Sequence, residues 1–170
     1  MNGSGAMRVD FYHLTRDPAP VAIAEIARKA LAAGHRMLVV SDDKAQRRAI
    51  SDALWQAEGF LAHGEAACPE AGDGGAGDHK AANDHDGEAA TDARQSLLIA
   101  GDTRAVNNAS VVVFADGIWR EDAVRFTRAL LFFDESRIAA ARQCWSLLKR
   151  QQDGELHYWK QAQNGWKEGP

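Results

Sequence analysis

Ala109-Ser110-Val111-Val112-Val113-Phe114-Ala115-Asp116-Gly117 decides the fold. From Val111 the stretch carries five consecutive apolar residues, three of them β-branched valines, and it closes on Asp116-Gly117. A strand with one wet face alternates; a strand covered on both faces does not. A buried helix segment can also be continuously apolar, but the short run, the valines and the closing glycine favour a strand. Such a strand needs parallel neighbours with helices above and below, so the rest of the chain should supply both.

On the amino-terminal side it does. Met1 to Ala6 is small and flexible in composition, and reads either as a native extension or as an expression remnant with Met7 the true start. Arg8 to Leu14 alternates as a first strand, with Val9, Phe11 and His13 on one face and Asp10, Tyr12 and Leu14 on the other. Thr15-Arg16-Asp17-Pro18 is a turn. Val21, Ile23, Ile26, Ala27, Ala30 and Leu31 recur at helical spacing, and Gly34 stands where a C-cap belongs. Arg36 to Val40 is a second strand. Ser41-Asp42-Asp43 offers capping oxygens to a second helix whose face is Ala45, Ile50 and Leu54, with Trp55 closing it. Phe60 to Gly64 is a short anchored segment. From Glu65 to Asp92 the chain is mostly Ala, Gly, Asp, Glu, His and Asn, which cannot repay ordering entropy by burial, so an exposed loop is expected.

Ser96 to Ala100 is a third strand. Beyond the opening stretch, Ile118 to Asp122 begins a short helix with Ala123, Phe126 and Thr127 on its buried side, and Ala129 to Phe133 is a further strand. The last helix runs from about Arg137 to Gln151, with Ile138, Ala141, Trp145 and Leu148 as its packing stripe. His157-Tyr158-Trp159-Lys160 and Gly165-Trp166-Lys167 are aromatic anchors that should fold back onto the domain or a partner. The expectation is an α/β chain, residues 7–170 as one three-layer domain with a largely parallel central sheet, residues 1–6 as an extension and 65–92 as a loop.

The chain has 170 residues, 45% of them hydrophobic, and a formal net charge of -4, which disfavours general polyanion wrapping. No apolar run reaches membrane-spanning length and no signal-like h-region opens the chain. Its two cysteines, Cys68 and Cys144, fit reduced thiols. A cytoplasmic protein is expected.

The usual chemical signatures are missing. Neither the dinucleotide-binding glycine pattern nor a triphosphate loop occurs; Thr15-Arg16-Asp17-Pro18-Ala19-Pro20 follows the first strand instead. Asp73-Gly74-Gly75 lacks the regular oxygen ligands of a calcium loop. His63, His79 and His85 with Cys68 match no standard zinc spacing. Asp42-Asp43 and Asp116 lie after strands, where an acid–base pair and simple capping compete as explanations. Cys144 has no partner base in sequence. No catalytic, metal or cofactor site is expected.

The positive signal is the last helix. Arg142, Trp145 and Lys149 are spaced three and four apart and border one surface. A guanidinium grips a carboxylate bidentately and an indole walls an apolar pocket, so the trio suits a peptide end with both features. The competing explanation is a core tryptophan with basic residues that only solvate the exterior.

Several fragments, in order, resemble the chi subunit family of bacterial DNA polymerase III: Phe11-Tyr12-His13-Leu14, Leu54-Trp55, Phe60-Leu61-x-His63-Gly64, Asn108-Ala109, Phe132-Phe133-Asp134, Ala141-Arg142-x-x-Trp145, and Tyr158-Trp159-x-Gln161 before Gly165-Trp166. The resemblance implies a noncatalytic, Rossmann-like accessory subunit of the clamp-loader complex. It implies as partners the acidic C-terminal tail of the single-stranded DNA-binding protein and, in some bacteria, the psi subunit or a repair helicase, with little direct DNA binding. The family's tail surface carries over to Arg142, Trp145 and Lys149, with Phe60 and Leu131 as apolar neighbours. Some relatives bear further basic residues where this chain has Ile138 and Ser146, a departure that weakens the grip or shifts it to Arg137, Arg150 or a tail lysine. Three rivals stand beside this reading. A direct single-stranded nucleic-acid binder would need a basic groove with exposed rings, a nucleotide-dependent enzyme a cofactor pocket, and a helicase scaffold a separate partner surface.

Overall fold

In the computed structural model, which describes residues 6–59, 61–66, 92–104, 107–151 and 154–169, the opening stretch forms the fully buried strand Val111–Phe114. In chain order the strands are β1 (Arg8–His13), β2 (Met37–Val40), β3 (Gly64–Glu65), β4 (Leu97–Ala100), β5 (Val111–Phe114), β6 (Arg128–Phe133), β7 (Glu155–Ala162) and β8 (Gly165–Glu168). Among the described residues the helices are α1 (Ala19–Ala32), α2 (Lys44–Gln56) and α3 (Ile138–Gln151), with 3-10 turns at Glu121–Arg125 and Glu135–Arg137.

Among the described residues all eight strands join one sheet in the order β3-β4-β2-β5-β6-β1-β7-β8, with only the β7–β8 pair antiparallel. The continuous apolar runs follow from its two covered faces. Met37, Val39, Leu97, Ile99, Val111, Val113, Leu130 and Phe132 face α1 and α2, while Leu38, Val40, Leu98, Val112, Phe114 and Leu131 face α3 and the first 3-10 turn. This is the three-layer, Rossmann-like α/β arrangement that the valine run requires.

Local chemistry sets the element ends. Asp43 caps α2 by accepting from the Ala45 N–H at 2.9 Å. Gly34 ends α1 at φ +83°, donating its N–H to the Leu31 carbonyl. Asn107 is fully buried and its amide donates to the Met37 and Gln95 carbonyls, tying the segment before β5 to β2 and β4.

Three details differ from the sequence reading. Ala45 is exposed, and Arg47 shares the buried face of α2 with Ile50 and Leu54. Thr127 is exposed, its hydroxyl donating to the Ser110 carbonyl. The anchored segment after α2 ends in the edge strand β3. The aromatic tail folds back onto the domain as expected, as β7 and β8, with β7 paired along the whole length of β1.

Asp10 fastens that addition. Its side chain is fully buried and accepts from Arg128 Nε at 2.6 Å, Trp159 Nε1 at 2.8 Å and Arg8 Nη2 at 2.9 Å. Burial alone would raise its pKa. The three donors outweigh burial and hold it below the ordinary aspartate range. On the same face Tyr12 stacks on Phe132 at 4.9 Å, and Trp166 meets Tyr12 edge-on at 4.8 Å.

Candidate peptide-binding pocket

The helix α3 places Ala141 and Leu148 in the core and leaves Arg142 and Lys149 exposed, as its three-to-four-residue spacing demands. Trp145 lies between these environments. It is partly buried, and its ring meets Phe11 edge-on with centroids 5.1 Å apart. Packing and pocket formation are therefore both roles of this indole.

A cavity of about 400 Å³ opens between α3 and the adjacent strands β6, β1 and β7. Phe11 of β1, Phe133 of β6 and Tyr158 of β7 form its sheet side. Ile138, Ala141, Arg142, Trp145 and Lys149 of α3 form the other. Neither Arg142 nor Lys149 has an ion-pair partner among the described residues, in contrast to Arg8, Arg120 and Arg128, which are held by carboxylates. Two uncommitted cations thus border an aromatic hollow. Partial burial raises the pKa of the Tyr158 phenol, with Arg142 opposing the shift and Glu135 adding to it.

The three residues singled out on the helix come together. Leu131 does not join them: it is 1% exposed, paired with Phe11 inside the core beneath α3. Phe60 lies outside the described residues. Ile138 lines the cavity, and Ser146 is exposed with its hydroxyl donating to the Arg142 carbonyl. The alternative cations are elsewhere: Arg137 faces the crevice at the strand ends, and Arg150 donates to the Ser146 carbonyl. Phe11, Phe133 and Tyr158 were missed as site residues because sheet register, invisible to local spacing, gathers them.

The crevice at the carboxyl ends of β1, β5 and β6 has a volume of about 550 Å³. It sits where the segments after β1 and β6 pass to opposite faces, a place where α/β sheets often bind ligands. Here Pro18 and Pro20 withhold backbone N–H groups, and Asp17, Asp116 and Asp134 line the opening, so it makes a poor phosphate cradle. Asp116 is committed to Arg120 at 2.7 Å and to the N–H groups of Asp42 and Ile118, and Asp43 to its cap. Structural duties thus account for these carboxylates. Burial pushes the Cys144 thiol up to about 11, leaving it protonated at neutral pH.

His63 is satisfied by Ser51 Oγ at 2.8 Å and the Leu61 carbonyl at 2.8 Å. Cys68, Asp73, His79 and His85 lie outside the described residues. Among the described residues no three metal-ligating side chains cluster, and no helix is long and apolar enough to cross a membrane.

Comparison with curated proteins gives no match. Residues 7–76 match the family model described as DNA polymerase III chi subunit, HolC, a segment that contains β1 to β3 and contributes Phe11 to the cavity, whereas α3 lies beyond it. By that match residues 7–76 of the chain are similar to the DNA polymerase III chi subunit family.

Proposed function

We propose that this chain is a noncatalytic accessory subunit that tethers the clamp loader to the acidic C-terminal tail of the single-stranded DNA-binding protein. The observation that carries the reading is the convergence of Arg142, Trp145 and Lys149 with Phe11, Phe133 and Tyr158 on one cavity. A peptide end with an aromatic side chain and a free carboxylate matches it group for group. The ring enters between Trp145 and the sheet aromatics, and the carboxylate meets the two cations. Acidic residues upstream of that end add long-range attraction, which salt screens.

A single tail bound this way is held weakly. Many tails displayed along coated single-stranded DNA raise the effective concentration, so a modest site gives a durable tether without turnover. The psi subunit, or a repair helicase in its place, would use a surface other than this pocket.

Alanine substitution at Arg142 and at Lys149 tests the site, with affinity for the tail peptide measured by calorimetry. Each substitution is expected to weaken binding by about fivefold to tenfold, since an exposed charge-assisted hydrogen bond contributes about 1 kcal/mol. Unchanged affinity in both folded variants would remove the pocket from the account.

A further inference from the structure

His13 sits behind the pocket wall and is 3% exposed. Its ring stacks on Phe133 with centroids 5.1 Å apart, and its Nδ1 lies 2.7 Å from the Tyr158 hydroxyl oxygen. Its Nε2 has no hydrogen-bond partner but lies 3.4 Å from Glu135 Oε1. Tyr158 in turn lines the cavity beside Arg142 and Lys149.

Electrostatics selects the neutral tautomer. A bare Nε2 lone pair facing the Glu135 carboxylate is repelled, whereas an Nε2–H is attracted. The neutral ring therefore carries its proton on Nε2, and Nδ1 accepts the Tyr158 O–H. That tyrosine proton is then turned away from the pocket. A second proton on the ring, taken from solvent, makes Nδ1–H the donor to the tyrosine oxygen. The Tyr158 O–H is then free to point at a ligand, with a positive charge behind it.

We propose that Tyr158, oriented by His13, is a third recognition group for the carboxylate end of the bound peptide, and that peptide binding is coupled to proton uptake by His13. The inference rests on the reading of this cavity as a peptide site. The charged groups around the relay have consistent signs. Glu135 attracts the imidazolium, Arg142 and Lys149 oppose it until an anion occupies the pocket, and Lys160, the register partner of His13 on β7, is exposed. Asp134 is committed to the backbone N–H and hydroxyl of Ser136. An incoming carboxylate neutralises the opposing cations, so the carboxylate and the proton favour each other's binding.

The test is calorimetry on the full chain with an aspartate-rich peptide ending in phenylalanine, in two buffers of different protonation enthalpy. Binding should be at least about threefold tighter near pH 6 than near pH 8, with fractional proton uptake, while the peptide carboxylates stay ionised throughout this window. Tyr158→Phe keeps the ring wall and should bind at least about threefold more weakly near pH 6 and like the native chain near pH 8, with a flat pH profile. His13→Gln, and the native chain with a C-terminally amidated peptide, should also give flat profiles. A native profile that is already flat, or one that Tyr158→Phe leaves unchanged, overturns the relay while keeping the pocket. No binding at any pH overturns the pocket reading, and the relay with it.

Discussion

Replacing Asp10 with asparagine removes the charge around which the tail strands are fastened. The carboxylate is 0% exposed and receives hydrogen bonds from two guanidinium groups and one indole. Asparagine keeps one acceptor oxygen and turns an NH₂ toward groups that only donate, so at least one donor loses its partner. Breaking a fully buried ion pair costs about 3–5 kcal/mol. Here the Arg8 and Arg128 side chains are 38% and 35% exposed, and water recovers part of their loss. A destabilisation of about 2–3 kcal/mol is expected. At about 2–4 °C per kcal/mol for a chain of this size, Tm should fall by roughly 5–10 °C. Urea unfolding followed by tryptophan fluorescence measures the free energy, and hydrogen exchange should show amides of β7 and β8 losing protection first. A loss below about 0.5 kcal/mol would mean that Asp10 is not the fastening of the tail, and that aromatic packing alone holds it.

Acid should act through the same carboxylate. Asp10 is fully buried and the Asp116 side chain largely covered, and their arginine partners still hold each below the ordinary aspartate range. A folded value below the unfolded one gives stability that is present above about pH 4 and lost as pH falls through the folded value, so the acid limb of a stability titration should flatten in Asp10→Asn. Gly154→Ala should destabilise strongly, by about 2 kcal/mol or more, because its φ is +150° and a Cβ there would lie 1.9 Å from the Met7 carbonyl oxygen; unchanged thermal unfolding would contradict this. Ser146→Lys adds a cation one turn from Arg142 and should tighten peptide binding by about twofold to threefold at low salt. The same variant at high salt should bind like the native chain.

What sequence made legible was whatever two covered faces or one helical stripe impose locally. Val111 to Phe114 could be read as a central strand because no position in it faces water. Arg142, Trp145 and Lys149 could be grouped because a helix fixes their spacing. The tail strands were illegible for the opposite reason: Leu156 to Trp159 are only partly buried, and the pairing of β7 with β1 joins residues far apart in the chain. Gly64–Glu65 is too short to carry a period. Leu131 and Phe133 share a face, and only the three-dimensional crossing of α3 puts one beneath the helix and the other at the cavity.

The most direct measurement is a calorimetric titration of the native chain with the acidic C-terminal peptide of the single-stranded DNA-binding protein from the same organism, at low and at moderate salt. The account predicts one peptide per chain, affinity that weakens as salt rises, and loss of binding when the terminal phenylalanine is removed. No binding by the folded chain, or binding indifferent to the terminal phenylalanine, would contradict it.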